Sequence, residues 1–308
     1  MLLYPGERIV AGVIVLLFVA DGLLILRTPA TLDWGGYAFS LAVGFAGCAL
    51  GLAYRHSRRS EEIALATLAA GLFVLFTIVG SLFNHLLLPV GESRLDAALA
   101  SIDGWLGYSW PDLVAATAGF PAFGALLRLV YLSSLPQLVV VILVLGLSGR
   151  RAPLHRFLVT GVFGALISVG VWSAMPSFGP AVYHPVAAET VEALAMVVGP
   201  AYGAELSRLA VEGPTLLSPK DALGLIAFPS FHTVMACMAV WFTRPFPRLF
   251  PAFLVVNLLM VPAILVHGGH HLMDVFGGVA VFALALAAAG RLLRARPAPG
   301  APVLAPHA

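Results

Sequence analysis

The sequence predicts an all-α polytopic membrane protein with about eight transmembrane helices. Three observations carry that expectation. Hydrophobic residues make up 60% of the 308 and charged residues only 10%, against ~25% charged in a soluble domain. Apolar runs close to the ~20 residues that cross a bilayer recur along the chain. Strict alternation of apolar and polar residues is missing, which argues against an outer-membrane barrel. The same composition excludes a soluble globular enzyme and a disordered chain. A formal net charge of +2 is too small to imply nucleic acid. Cys48 and Cys237 both sit inside apolar runs, so neither a disulfide framework nor a cysteine metal site is expected.

The elements follow in order. Apolar stretches at 9–26 and 36–54 form a two-helix hairpin within residues 1–60. The first is polar-flanked and has no small-x-small cleavage site, so it reads as a span and not as a signal peptide. Stretches at 63–89, 121–147, 157–178, 222–243, 249–266 and 270–290 supply six more spans within 61–293. Residues 90–119 are not a span. Asp96, Asp103 and Asp112 are interspersed with Leu95, Leu99, Ile102 and Leu106, which predicts an in-plane helix with one apolar face. Trp105, Tyr108 and Trp110 suit a headgroup region. Residues 179–221 contain Pro180, Pro185, Pro200, Pro214 and Pro219 and are expected to cap one side with one or two short helices. The Pro- and Ala-rich residues 294–308 are expected to be a disordered tail.

Basic residues give an orientation. With the N-terminus inside, twelve of the 17 Lys and Arg residues fall in inner loops, including Arg55, Arg58, Arg59, Arg150, Arg151 and Arg156. Outer loops hold Arg27, Arg94, Arg208 and Lys220, and Arg128 lies within a span. Both termini are therefore expected in the cytoplasm, with 90–119 and 179–221 outside.

Polar groups inside a membrane are costly, so those present are functional candidates. Phe228-Pro229-Ser230-Phe231-His232 and His267-Gly268-Gly269-His270-His271-Leu272-Met273-Asp274 form two clusters. Two crossings separate His232 from His270, so both reach the same membrane boundary. His270 and Asp274 are spaced i, i+4, on one face of a helix. An Asp there holds one ring nitrogen and leaves the other free as a nucleophile. His232 can protonate a leaving alkoxide. Pro229 and Ser230 read as a helix start, where amides and a hydroxyl hold an anion. Together these suit phosphoryl transfer. His267 and His271, also i, i+4, are read either as packing residues or as a metal pair.

The motifs Phe-Pro-Ser-Phe-His-Thr at 228–233 and Gly-Gly-His-His-Leu-Met-Asp-Val at 268–275 resemble the type 2 phosphatidic acid phosphatase superfamily. The nearer likeness is to its branch of aureobasidin-resistance, or inositol phosphorylceramide synthase, proteins and their bacterial relatives. Leu95 to Trp110, Tyr131 to Gln137 and Pro176 to Ala181 extend that likeness, which covers roughly 60–290. The resemblance implies a six-helix catalytic core behind an added N-terminal hairpin. It implies that His270 attacks phosphorus, Asp274 orients it, His232 protonates the leaving group and Ser230 contacts the phosphate. It also implies a phosphohistidine intermediate with no cofactor and no metal. The implied substrate is a phospholipid or lipid phosphate, with water or a lipid hydroxyl such as ceramide or diacylglycerol as acceptor. The implied setting is a bacterial inner membrane with the site facing the periplasm.

The chain departs from the family pattern in two places. The usual first motif, a Lys followed by Arg-Pro, is absent, and Ala263-Ile264 stand where a Ser-Arg pair is usual. Transferred phosphoryl charge still needs positive partners. Arg208, Lys220 and Arg128 are the candidates, with Arg208 first because its planar fork suits bidentate binding. Each can equally be a solvated or snorkelling charge. Tyr131 and Gln137 are candidate substrate-binding groups, and Asn84 and His85 are further polar groups for the same cavity. The alternative function is a non-enzymatic lipid or metabolite transporter, which Asp21, Arg128 and Asp274 inside spans would suit.

Overall fold

A computed structural model describes residues 2–91, 94–220 and 222–294. The tail expected over 294–308 lies, from residue 295, outside the described residues. Thirteen α-helices account for most of the described chain: α1 Pro5–Ile25, α2 Trp34–His56, α3 Glu61–Leu86, α4 Asp96–Trp105, α5 Trp110–Ala118, α6 Pro121–Leu132, α7 Ser134–Leu147, α8 Arg151–Ala174, α9 Ala188–Leu194, α10 Pro200–Glu212, α11 Phe231–Thr243, α12 Phe250–His267 and α13 Leu272–Arg294. The protein is all-α and polytopic. α1, α2, α3, α8, α12 and α13 are long and apolar enough to cross a membrane, whereas α7 and α11 are shorter apolar helices.

Two expected spans differ from their sequence reading. The stretch 121–147 breaks at Ser133 into α6 and α7. Pro136 has no N–H to bond Leu132, and the Ser133 and Ser134 hydroxyls donate to Val130 O at 2.6 Å and Tyr131 O at 2.8 Å instead. The stretch 222–243 is helical only from Phe231. Pro229 forces the residue before it out of the helical region, and Ser230 then caps α11 by accepting from Thr233 N. The segment 90–119 is two helices and not one, α4 and α5, separated at Gly107, whose φ is 71°. α5 and α6 meet at 117°.

The main core joins α1, α3, α7, α8, α11 and α13 through side chains such as Val10, Leu68, Ile142, Phe157, Val234 and Phe282. A second cluster packs α5, α6, α9 and α12 around Leu127, Leu194 and Met260. α1 and α2 leave Phe18, Leu23, Phe39 and Phe45 exposed. A soluble surface would not carry so wide an apolar patch, but lipid solvates it without cost. α2 lies against α3 through small residues. A Cβ at Gly71 of α3 would sit 2.5 Å from Cys48 N and 2.7 Å from Gly44 O of α2.

Two contacts join the loops at opposite ends. On one side, Arg55 bridges Glu7 at 2.7 Å and Glu61 at 3.0 Å, while His155 Nε2 is 3.3 Å from Glu7, tying α1, α2, α3 and α8. On the other, β1 Thr31–Leu32 pairs in parallel with β2 Leu216–Leu217. The loop after α1 and the segment 179–221 therefore share one face.

The backbone contact at Gly71 generates a prediction. Gly71→Val is expected to destabilise the protein by about 1–3 kcal/mol, because α2 must move off α3. A Cβ at Gly12 meets nothing within 4 Å, so Gly12→Val should melt with the parent. Thermal unfolding in detergent checks both.

Candidate active site

α12 ends at His267, and Gly269 follows at φ 59°, a conformation that favours glycine. The chain then turns, and α13 begins only at Leu272. His270 and Asp274 are therefore not neighbours on one helix, as the i, i+4 spacing predicts. His270 precedes α13 and Asp274 sits in its first turn. They still meet: His270 Nδ1 donates to Asp274 Oδ2 at 2.9 Å. The same oxygen accepts the His271 amide at 2.9 Å. A carboxylate only accepts, so Nδ1 carries the proton and Nε2 keeps its lone pair. The helix break also separates His267 from His271. His267 Nε2 turns to Gly124 O at 3.0 Å and His271 Nδ1 to Asp103 at 2.8 Å, so the two rings do not converge as a metal pair would.

α11 brings the second motif. Ser230 N donates to Asp274 O at 3.0 Å, which fastens the start of α11 to the start of α13. His232 lies in the first turn of α11 and stacks on Tyr131 of α6, with ring centroids 4.3 Å apart and planes 19° apart. His232, His270 and Tyr131 share the wall of one cavity of about 340 Å³. Its remaining wall is largely apolar and runs along α3, α7, α8 and α11, past Phe73, Phe76, Leu138 and Met235. Ser230 is fully buried and bounds the α11 start.

The expected cationic clamp is not brought to this cavity. Arg208 of α10 is held by Glu205 at 2.6 Å and reaches Glu212 at 3.5 Å, so an acid on its own helix occupies its fork. Lys220 follows the turn at Ser218, whose hydroxyl donates to Asp33 on the loop after α1. Arg128 Nε donates to Ala195 O at 3.0 Å and caps the end of α9. Gln137 points at α12, accepting from Asn257 at 2.6 Å. None of the four lines the cavity among the described residues. Arg94 lies with its guanidinium 4.7 Å above the ring of Phe178, which lines the cavity.

The segment 90–119 holds residues that sequence reasoning missed. α4 buries Asp96, Leu99 and Asp103, while Trp105 is 90% exposed and Leu106 is exposed too. The helix is thus turned the opposite way from a soluble amphipathic helix, with its acids inward. Asp103 accepts from His271 and from Leu272 N at 3.1 Å. Asp96 accepts from Ser177 Oγ at 3.0 Å, from the amides of Phe178 and Gly179 at 3.0 and 2.8 Å, and from Tyr183 at 3.1 Å. It also lies 3.6 Å from His271 Nε2. Tyr108 donates to His270 O at 3.1 Å. The available signal was the seven-residue spacing of Asp96 and Asp103, which puts both on one helical face. Burial opposes charge on Asp96, yet the nearby His271 ring and hydrogen bonds from Gly179 and Ser177 hold its pKa below the usual carboxylate value. Burial likewise opposes the His271 imidazolium, but Asp96, Asp274 and Asp103 outweigh it and raise its pKa.

A family model described as the PAP2 superfamily matches residues 97–288. That range takes in α4 from its second residue, both motifs and most of α13, and the chain belongs to this superfamily. No curated protein and no solved structure gave a match.

The raised His271 pKa has a stability consequence with a definite sign. Its contribution is fully present below the ordinary histidine value of about 6.5 and is lost as pH rises through the elevated one. Melting temperatures in detergent should fall over that window for the parent. The fall should be absent in His271→Gln, and an unchanged slope would assign it to another group.

Proposed function

On the premise that this is a PAP2-superfamily membrane protein, we propose that it transfers or hydrolyses the phosphoryl or phospho-headgroup of a lipid through a histidine nucleophile. The observation that carries the reading is one cavity whose wall holds His232 and the Asp274-oriented His270 at the head of a long apolar body. His270 Nε2 attacks phosphorus, and the bond from phosphorus to the lipid oxygen breaks. His232 gives its proton to the departing alkoxide. Water, or a lipid hydroxyl such as that of ceramide or diacylglycerol, then attacks the phosphohistidine, returns a proton to His232 and frees His270. Asp274 keeps the proton on Nδ1 throughout and stabilises the charged ring as phosphorus bonds to Nε2.

The first-turn amides of α11 meet the developing negative charge, with Ser230 fixing where that helix begins. This replaces the clamp expected of Arg208, Lys220 and Arg128. The apolar wall suits acyl chains and leaves the phosphate at the polar end. The branch proposed is the inositol phosphorylceramide synthase-like one, on the strength of the 95–110, 131–137 and 176–181 segments. The division into a hairpin over 1–60 and a catalytic core over 61–293 belongs to the same proposal. So does a site facing the exterior of a bacterial inner membrane.

Purified protein offered a labelled phospholipid panel, with and without ceramide or diacylglycerol, tests this reading. Free phosphate and transferred headgroup are scored separately. His270→Ala and Asp274→Asn should each lower kcat by several powers of ten, with losses that do not add in the double variant. Near-parental turnover in His270→Ala would sink the nucleophile assignment. Turnover should also survive excess chelator. Loss restored by zinc would contradict a metal-free histidine mechanism.

Sidedness is tested in intact cells, in a background without Cys48 and Cys237. Ser207→Cys, on α10, should react with an impermeant thiol reagent, and Ser57→Cys, after α2, should not. The reverse pattern would place the chemistry on cytosolic lipids.

A further inference from the structure

Asn84 and His85 stand near the end of α3, in the wall of the cavity that also takes in His232 and His270. Each is only 8% exposed. His85 Nδ1 is 2.9 Å from Ser81 O. A carbonyl only accepts, so Nδ1 is the donor and the neutral ring presents a bare Nε2. That Nε2 and Asn84 Oδ1 are buried with no hydrogen-bond partner among the described residues. Two other polar groups of the wall are occupied: Thr77 donates to Phe73 O at 2.9 Å, and Tyr202 both donates to and accepts from Gly224. Buried acceptors left unpaired in an apolar interior are costly, and a ligand that donates to them removes the cost.

The wall also limits what that donor is. Among the described lining residues there is no Asp, Glu, Lys or Arg. Nothing there balances an ammonium group, and nothing pairs with a second phosphate. Leu72, Phe73, Phe76 and Phe83 of the same helix line the cavity along with the two acceptors. A neutral O–H carried on an apolar chain matches both features. We propose that Asn84 and His85 form a hydroxyl-binding subsite that holds a lipid alcohol in the cavity shared with His232 and His270. The role of that alcohol in turnover, as acceptor or as departing product, rests on the phosphoryl-transfer reading, whereas its binding does not.

The probe is labelled dioctanoylglycerol, compared with its O-methyl ether, which has no donor. Equilibrium binding is measured on the purified protein in detergent. The parent should bind the alcohol about tenfold more tightly than the ether, the worth of one hydrogen bond to an otherwise unpaired acceptor. His85→Phe and Asn84→Leu should each lose most of that preference. His85→Gln restores an amide acceptor and should recover it, which separates ligand binding from a packing defect. Equal binding of alcohol and ether by the parent overturns the subsite, as does a preference kept in both His85→Phe and Asn84→Leu.

His270→Ala separates this test from the catalytic one. It should lose turnover yet keep the preference for the alcohol. Activity retained in His270→Ala sinks the catalytic reading while the binding result stands. With a phospholipid donor present, label entering a new phosphodiester makes the alcohol an acceptor. Inhibition of hydrolysis without label transfer makes it the departing product. Both outcomes support the subsite when they require His85.

Discussion

One carboxylate oxygen organises the turn between α12 and α13 and the elements gathered around it. Asp274 Oδ2 accepts His270 Nδ1 and the His271 amide together, each at 2.9 Å. An acid buried in so apolar a setting is tolerable only when its charge is met by donors. The chain supplies them by stopping α12 early and turning before α13, so that a ring and a backbone amide both face Asp274. That turn also aims His271 away from the cavity toward Asp103 and Asp96. Asp96 in turn gathers the amides of Phe178 and Gly179. The tautomer of His270 is thus coupled to the position of helix α4 and to the loop that leaves α8.

Lipid as solvent explains the burial pattern around that network. In water, α4 would bury its leucines and expose its acids. Here Trp105 and Leu106 are exposed and Asp96 and Asp103 are buried. An exposed leucine costs little beside acyl chains, whereas an acid has partners only inside the protein. The same economy leaves the outer faces of α1 and α2 apolar and reserves the interior for close packing, as at Gly71.

Fold class and site were legible in the sequence to different depths. Composition and run length read the all-α membrane architecture, and span counting alone brought together His232 and His270, which share the wall of one cavity. Local backbone breaks were less legible. The spacing of His270 and Asp274 looks helical, but Gly269 and the late start of α13 put the contact across a turn. The run 121–147 has no polar interruption beyond Arg128, Ser133, Ser134 and Gln137, and hydropathy averages over the break that Pro136 favours. The basic residues were misplaced for another reason. A sequence shows that Arg208 exists, but not that Glu205 on the same helix already holds its fork. The acids of α4 read as a solvated face because the usual amphipathic rule assumes water on the polar side.

The short pairing of Thr31–Leu32 with Leu216–Leu217 bears on the order in which the molecule assembles. Thr31 and Thr215, bonded at the edge of that pairing, are 184 residues apart in sequence. At ~5–20 residues per second of synthesis, the first loop waits roughly 10–40 s for its partner to leave the ribosome. During that interval α1 and α2 can already be inserted and packed on α3, since all the residues they need there have been made. The β2 pairing on the other face comes later, onto a preformed edge, and before α11, α12 and α13 have been made. A nascent chain stalled before residue 215 would therefore carry a settled N-terminal hairpin but none of α11, α12 and α13, and so no His232 or His270 wall for the cavity.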